Sequence, residues 1–415
     1  MADSARYRIP VPAWCRCPPL VKLPWGLASV PGLMAGSEGA ESALTAKVRH
    51  YYGVRHCILT DSARSAYALY LRATQLDGEI VTQSFMHTPT GVLLRNHGLQ
   101  LAFCDVNRDF CTSVEHLEQA VSDATRAVMV THMFGRAAPI DEIEEWGRKR
   151  SIQVLSNMVH MPGDVLLDGK PLAAYGDVAF LSFNMDKPLN GIYGGALLTD
   201  SDELYEKARA VDLIATRESA VAKLILRYLL LYRYKAAAAP FQYVYYAAKR
   251  RYFRHDDVVD SFESFAGDHY KYFSPAKIHP WQAAFAEKLI DRLPEMMACR
   301  RSRALRAIER LSTVDCVELP LADQYPNTYH YFPVIFDSAL SRYDLGVFLT
   351  KAGYEAKWRY YPLHLQQKFA DCRCADLSNT MSLWRRYLLL PIPYSPPPDI
   401  DAVTAAVAEY VAGAC

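Results

Sequence analysis

The residue with the clearest chemical potential is a lysine that follows an apolar run. Residues 177–183 are predicted to form a buried strand, and Lys187 follows it in the stretch Ser182-Phe183-Asn184-Met185-Asp186-Lys187-Pro188. Burying a lysine is costly unless the amine is paired or used chemically. We therefore predict that Lys187 forms a Schiff base with an aldehyde cofactor. The alternative that this stretch alone leaves open is a surface lysine on a turn.

A second candidate site follows the predicted strand His56–Thr60. The segment Asp61-Ser62-Ala63-Arg64-Ser65 leads from this strand into a predicted helix that continues through Leu71. Small residues at a helix N-terminus leave backbone N–H groups free to bind an anion such as a phosphate. An ordinary N-cap formed by Asp61 or Ser62 explains the same pattern, so the local sequence leaves both interpretations open.

Short apolar strands and helical segments alternate along the first half of the chain. The strands are predicted at 56–60, 79–83, 100–105, 127–131, 152–156 and 177–183, with helices at 41–52, 63–71, 90–97, 114–122 and 140–149. This alternation predicts right-handed crossovers and a mostly parallel sheet, in which ligands bind beyond the carboxyl ends of the strands. We expect five strand-end segments to face one crevice: Ser62, 84–87, 132–136, 157–160 and Lys187.

The second half of the chain predicts a smaller C-terminal domain. An amphipathic helix is expected at 281–293, an arginine-rich helix at 300–311, a strand at 329–336, and helices at 343–352 and 398–412. The predicted organisation is an N-terminal arm at 1–40, a large domain at 41–295 and a small domain at 296–415. A divergent basic and aromatic insertion is expected at about 219–256 within the large domain.

Composition limits the class of protein. The 415 residues are 51% hydrophobic and 22% charged with a net charge of +1, which is typical of a globular protein and argues against a dedicated nucleic-acid binder. The ten cysteines show no framework spacing, and their C-x-C pairs differ from the C-x-x-C of zinc and redox sites. We therefore expect free thiols, a reducing compartment and no metal site.

Residues 223–254 combine basic and aromatic side chains. The segment carries no acidic residue, and its apolar positions include Leu224 and Phe241 among several tyrosines. A helix of this kind can lie in a membrane interface, or it can pack against another subunit with its basic side chains in water. Both interpretations remain open. No uncharged apolar run reaches the roughly 20 residues that span a bilayer.

Several motifs in a fixed order resemble one known family. They are His132-Met133-Phe134-Gly135, 154–160, Gly176-Asp177 leading to Ser182-Phe183, Lys187, Gly194-Gly195, Gln282-Ala283-Ala284 and Tyr361-Pro362-Leu363-His364-Leu365-Gln366. In this order they resemble the DegT/DnrJ/EryC1 family of pyridoxal-phosphate sugar aminotransferases. The resemblance implies an α/β, aspartate-aminotransferase-like fold (fold type I), with a mostly parallel sheet in the large domain and an α+β small domain. It also implies a homodimer with active sites at the subunit interface.

The resemblance assigns roles to six residues. Lys187 stands where the family has the lysine that forms the internal aldimine with pyridoxal 5'-phosphate, and Ser182 matches a serine that holds the cofactor phosphate. Ser62 and Ala63 match the Gly-Thr pair of the phosphate turn. His87 falls where an aromatic residue stacks on the pyridine ring, and His160 where a Gln or His flanks it.

Asn157 departs from the family pattern. The family has an aspartate here that pairs with the pyridine nitrogen, whereas this segment reads Ser156-Asn157-Met158-Val159-His160. The carboxylate stabilises the protonated ring as an electron acceptor. A charged hydrogen bond is worth roughly 1.5–3 kcal/mol, about one to two pK units. We expect neutral Asn157 to weaken the electron acceptor and to slow transamination.

The resemblance implies an aminotransferase-like enzyme of a biosynthetic pathway. Its substrate would be a nucleotide-linked keto sugar or a related carbonyl, with glutamate as the amino donor. Two alternatives follow from Asn157: a catalytically altered or inactive binding or assembly subunit, and a non-transaminating enzyme such as a dehydratase. We expect a cytoplasmic protein, and 223–254 is the candidate for peripheral membrane contact.

Overall fold

The structure is a computed structural model that describes residues 30–162, 165–228, 273–319, 325–337, 342–352, 354, 356–357, 359–392 and 399–414. Its strands, in chain order, are β1 (His56–Thr60), β2 (Glu79–Gln83), β3 (Gln100–Cys104), β4 (Thr125–Thr131), β5 (Gln153–Asn157), β6 (Leu166–Leu167), β7 (Lys170–Pro171), β8 (Val178–Ser182), β9 (Gly195–Thr199), β10 (Val317–Glu318), β11 (Phe332–Phe336), β12 (Arg373–Cys374) and β13 (Tyr387–Leu390).

The helices accompany these strands in alternation through the first half of the chain. They are α1 (Val30–Ala35), α2 (Ala40–Tyr52), α3 (Ala63–Thr74), α4 (Thr88–Asn96), α5 (Val114–Ala120), α6 (Ile140–Arg150), α7 (Asp202–Arg209), α8 (Glu218–Tyr228), α9 (Pro280–Ile290), α10 (Leu293–Leu311), α11 (Arg342–Lys351), α12 (Ser378–Arg386) and α13 (Ile400–Ala414). Short 3₁₀ turns lie at Met133–Gly135, Leu172–Ala174, Leu363–Leu365 and Gln367–Phe369.

The described residues form an eight-stranded main sheet with the order β1-β9-β8-β5-β4-β2-β3-β12. The pairs from β8 through β12 are parallel, and β9 runs antiparallel to both of its neighbours. Strands β2 and β9 are buried at every position, as expected for strands covered on both faces. The predicted mostly parallel α/β sheet is confirmed.

A smaller antiparallel sheet, β10-β11-β13, packs with α10, α11 and α13 around its own apolar cluster. The C-terminal segment also returns to the main sheet, because β12 pairs in parallel with β3 through Arg373 and Ala102. The proposed domain boundary near residue 295 lies just after the start of α10 and stays a prediction.

Several predicted elements have different bounds in the structure. The helix predicted at 281–293 ends at Ile290, and the helix predicted at 300–311 is the second half of α10. Pro294 lies in the first turn of α10, where its missing N–H costs nothing. The strand predicted at 329–336 begins at Phe332, because the left-handed backbone of Tyr329 (φ 50°) interrupts an extended chain. The predicted extended arm contains helix α1.

The basic and aromatic segment 223–254 lies outside the described residues from 229 onward. Helix α8 is the part that the structure describes. Among the described residues, no helix combines the length and apolarity needed to cross a bilayer.

Candidate active site

One pocket lies beyond the carboxyl ends of the central strands of the main sheet. Its volume is about 490 Å³, within the roughly 300–1,000 Å³ that small-molecule sites occupy. Its walls include all seven residues predicted from the sequence: Ser62, Ala63, His87, Asn157, His160, Ser182 and Lys187. The structure therefore brings these side chains together, while the role of each remains a proposal.

Lys187 is buried on the loop that follows β8. Its side chain is only 8% exposed, and Nζ lies 3.8 Å from Oδ2 of Asp186 and 3.4 Å from Nε2 of His330. Burial lowers the pKa of Lys187 to about 8, while Asp186 opposes the shift and Arg359 reinforces it. The amine is thus poised between its neutral and charged forms near neutral pH, as a nucleophile and proton carrier requires.

The loop after β8 that carries Lys187 (the lysine loop) also carries a buried carboxylate, that of Asp186. Its Oδ2 accepts hydrogen bonds from the hydroxyl of Tyr331 (2.9 Å) and from Nη1 of Arg359 (3.2 Å). Its Oδ1 is buried and accepts no hydrogen bond within the described part of the chain. Burial alone would raise the pKa of this carboxyl, but the charges of Lys187 and Arg359 hold it well below its usual range. Asp186 therefore stays ionised beside the amine.

The turn between β1 and α3 has the properties of an anion site. Ser62 is the N-cap of α3: its hydroxyl accepts from the backbone N–H of Ser65 (3.3 Å) and donates to Asp61 (3.0 Å). The N–H groups of a first helical turn have no partner within the helix, so a turn of this kind can offer them to an anion. The Ser62 hydroxyl, in contrast, serves the cap. The predicted phosphate turn therefore rests on backbone groups more than on the Ser62 side chain.

Gly195 lets β9 approach this turn. A Cβ at Gly195 would lie 2.4 Å from the backbone nitrogen of Ala63, a distance that no side chain tolerates. The preceding Gly194 has φ +147°, and a Cβ there would lie 2.9 Å from the ring of Phe183. The pair of glycines therefore fixes the phosphate turn against the strand beside the lysine loop.

Asn157, at the end of β5, has its amide oriented by two neighbours. The hydroxyl of Tyr67 donates to Oδ1 (2.8 Å), and Nδ2 donates to Oγ1 of Thr131 (3.0 Å). An amide nitrogen carries two hydrogens, so one remains for a ligand in the pocket. The side chain can therefore present a neutral donor, but it has no charge with which to stabilise a cation.

The two pocket histidines are neutral rings. Nδ1 of His160 accepts from the backbone N–H of Phe134 (3.4 Å), so Nε2 carries the proton toward the hydroxyl of Tyr360 at 2.9 Å. Burial lowers the pKa of His160 well below its ordinary value, and it lowers the pKa of His87 to about 3. Both rings are suited to packing against a planar ligand rather than to carrying charge.

Sequence reasoning missed several side chains of the site. Asp186 directly precedes Lys187, and Tyr67 lies one helical turn beyond the turn between β1 and α3, so local spacing could have found both. Arg359 precedes the Tyr361-Pro362 motif and lines the pocket. No local signal marks His330 and Tyr331, because they reach the lysine from the segment just before β11, more than 140 residues away in the chain.

The residues present fit pyridoxal phosphate. A buried amine, a helix N-terminus suited to an anion and neutral rings share one pocket, and Gly194 and Gly195 allow the close approach that holds the turn and the lysine loop together. Lys187 would hold the aldehyde carbon, and the first-turn N–H groups with Ser182 would hold the phosphate. Among the described residues, no group of three or more His, Cys, Asp or Glu is placed to hold a metal ion.

We expect the reactivity of Lys187 to rise with pH and to level off above about pH 8. Only the neutral amine is nucleophilic, and the lowered pKa means that this form dominates well below the ordinary lysine value of 10.5. Trace acetylation of the full-length chain without cofactor, quantified by peptide mass spectrometry, measures the profile. Lys149, an exposed lysine in the last turn of α6, serves as the reference. A profile still rising tenfold per pH unit above about pH 9 would contradict this expectation.

The fold and the pocket together define a class of enzyme. The architecture is that of fold type I pyridoxal-phosphate enzymes, and the fold predicted from the sequence is confirmed. The chain belongs to the DegT/DnrJ/EryC1/StrS aminotransferase family, whose model matches residues 34–229 and 247–408. The family predicted from the sequence motifs is confirmed as well.

Individual relatives are distant. The dTDP-3-amino-3,4,6-trideoxy-alpha-D-glucose transaminase of Micromonospora megalomicea subsp. nigra is 29% identical over 158 residues, which cover 37% of this chain and 42% of that protein. The spore coat polysaccharide biosynthesis protein SpsC of Bacillus subtilis (strain 168) is 23% identical over 88% of this chain and 87% of its own. The chain spans only 42–45% of the length of the first curated relatives it matches.

Solved structures share the fold over nearly the whole chain. The crystal structure of the aminotransferase TlmJ from Streptoalloteichus hindustanus superposes with a TM-score of 0.73 at 21% identity, covering 95% of this chain and 98% of that one. This likeness establishes the fold.

Proposed function

We propose that this protein is a pyridoxal-phosphate-dependent, aminotransferase-like enzyme that acts on a nucleotide-linked keto sugar or a related carbonyl compound. The observation that carries the proposal is the buried Lys187, whose pKa is lowered to about 8, in a pocket that also contains an anion-binding turn. A buried amine with this property has little structural use, because an apolar side chain would fill the same space at lower cost.

The substrate class is supported by relatives. Three of them are named as transaminases of sugars linked to dTDP or UDP, each at 25–29% identity over part of this chain. The pocket is large enough for a cofactor and a sugar ring, and Arg64 and Arg359 on its wall offer positive charge to an anionic substrate. Glutamate as the amino donor rests on the family alone.

In the proposed reaction, the residues of this chain bind, orient and move protons. Pyridoxal phosphate supplies an aldehyde that bonds to amines and a ring that accepts electrons from a broken C–H bond. The neutral amine of Lys187 removes the proton from carbon as a general base, and its ammonium form returns the proton as a general acid. Asp186 stabilises the ammonium form, and Arg359 favours the neutral one. His87 and His160 would hold the ring as uncharged neighbours.

Asn157 is proposed to face the pyridine nitrogen. Its amide can donate a hydrogen to an unprotonated ring nitrogen, but it cannot stabilise a protonated one. A ring without a protonated nitrogen is a weaker electron acceptor, and this supports two alternatives to transamination. One is a non-transaminating enzyme such as a dehydratase, and the other is a catalytically altered binding subunit. Lys187 itself weighs against an inactive subunit, because a site without chemistry has no need of a buried amine.

A visible absorption band tests the proposal. Purified protein supplied with pyridoxal phosphate should turn yellow, borohydride should bleach the band permanently, and glutamate should convert it to a band at shorter wavelength. Absence of colour after the cofactor is added would overturn the proposal. Colour that glutamate and other amino donors leave unchanged would favour the non-transaminating alternative instead.

Two predicted partners belong with this proposal. We propose a homodimer on the basis of the family resemblance, with sedimentation analysis as its test.

For 223–254 we propose contact with anionic lipid: liposomes should sediment the protein in a salt-sensitive manner. Unchanged partitioning after replacement of Arg250 and Arg251 would contradict the lipid contact.

A further inference from the structure

A buried arginine outside the pocket wall contacts the lysine through a histidine. Arg300 in α10 is only 3% exposed, and its Nη1 lies 3.3 Å from Nδ1 of His330 and 3.2 Å from the carbonyl oxygen of the same residue. His330 in turn places Nε2 3.4 Å from Nζ of Lys187. Arg300 and His330 do not line the pocket wall. They connect the C-terminal part of the chain to the amine from behind.

The arginine sets the tautomer of the histidine. A guanidinium only donates hydrogen bonds, so Nδ1 of His330 must accept from Arg300 and carry no proton. Burial and the charge of Lys187 hold the pKa of His330 well below its ordinary value, so the ring is neutral. Its single proton is therefore on Nε2, the atom that faces Lys187.

An Nε2–H group can donate only to an amine with a lone pair. The neutral form of Lys187 has this lone pair, whereas the ammonium form would direct its own hydrogens against the Nε2–H. We propose that Arg300 and His330 are positioning residues that present a hydrogen-bond donor to Nζ of Lys187 and so favour its neutral amine. Their value to catalysis rests on the function proposed above; the contact itself does not.

The backbone holds His330 in place for this task. The backbone N–H of Tyr331 donates to the carbonyl of Phe134 (3.0 Å), and the hydroxyl of Thr328 donates to the carbonyl of Gly135 (3.1 Å). A Cβ at Gly135 would lie 2.5 Å from the nitrogen of His330. These contacts hold His330 against the turn after β4. The proposed effect on the protonation state of Lys187 therefore depends on the contact between this turn and the segment before β11.

Other groups around the amine act in both directions. Asp186 favours the charged form, and the charges of Arg359 and Arg300 favour the neutral form. The titratable or charged groups that face Lys187 are Asp186, His87, His160, Arg300, His330, Tyr331 and Arg359. Of these, Arg300 and His330 form a chain in which one residue determines what the next one offers.

The test measures the pKa of Lys187 by trace acetylation of the full-length chain without cofactor. In R300M the ring proton of His330 can move from Nε2 to Nδ1. Nε2 then accepts a hydrogen bond from the ammonium form of Lys187, so the pKa of Lys187 should rise by about one unit. R301M removes an exposed arginine from the next position of the same helix and should leave the pKa of Lys187 unchanged. An unchanged Lys187 profile in folded R300M would overturn the proposal.

A double-mutant cycle separates the contact from simple charge repulsion. In an H330F background, R300M should produce a clearly smaller shift in the pKa of Lys187, because only the through-space effect of the Arg300 charge remains once the histidine is gone. An equal shift in both backgrounds would show that Arg300 acts through space, and would overturn the proposal. If R300M does not fold, ¹⁵N NMR of labelled histidines in the unmodified protein decides: the proposal requires a proton on Nε2 of His330, and a proton on Nδ1 overturns it.

The outcomes also stay separate from those of the proposed function. Acetylation profiles and the tautomer need no cofactor, so they can fail while the visible band appears. Conversely, a missing visible band with the expected pKa shift would leave the contact intact and remove only its catalytic meaning.

Discussion

Replacing Lys187 by methionine should abolish the visible cofactor band and lower turnover by about 10³-fold or more, because the covalent anchor and the proton carrier are the same side chain. Methionine has a similar length, so the pocket should keep its shape. Absorption of the protein with added pyridoxal phosphate, and single-turnover rates with glutamate, measure the two effects.

The same variant separates function from stability. Because the amine is buried at a cost to folding, K187M should retain or raise the melting temperature while it loses activity. K149M removes an exposed lysine that pairs with Glu145 on α6, and should leave both colour and turnover unchanged. A coloured, borohydride-sensitive K187M protein would contradict the assignment of the anchor.

Restoring the carboxylate with N157D should speed half-transamination by about 10- to 100-fold, the equivalent of one to two pK units at the pyridine nitrogen. The structure can accommodate the change. Tyr67 already donates to Oδ1 at 2.8 Å, and the hydroxyl of Thr131, 3.0 Å from Nδ2, can rotate to donate to an oxygen there. Stopped-flow absorbance with glutamate measures the rate.

A control variant makes this result specific. N157A removes the ring partner without adding charge and should be slower than the unmodified protein, so the order of rates should be Asp, then Asn, then Ala. An N157D protein no faster than the unmodified protein would show that the partner of the ring nitrogen does not limit the reaction.

The site could be predicted from sequence wherever the signal was local. The bounds of β1 and β2 were predicted correctly, because each short apolar run ends at turn residues. Ligands bind beyond the carboxyl ends of parallel strands, and this rule predicted that Lys187, Asn157 and Ser62 lie at one edge of the sheet. The division of the helices at Ile290 was missed, since buried Leu293 continues the apolar period across the break.

Contacts between distant segments could not be predicted. The link from Arg300 through His330 to Lys187 joins α10, the approach to β11 and the loop after β8, and no spacing within any one segment encodes it. The same holds for Arg359, whose bond to Asp186 depends on how the C-terminal segment folds back over the lysine loop. Such pairs arise from tertiary packing rather than from periodicity or motif.

The most direct test of the central claim is to identify the residue that carries the cofactor. The full-length protein is incubated with pyridoxal phosphate, reduced with borohydride and digested, and the modified peptides are sequenced by mass spectrometry. The account predicts a phosphopyridoxyl group on Lys187 at one per chain. A label spread over surface lysines such as Lys149 and Lys170, or a label absent from Lys187, would contradict it.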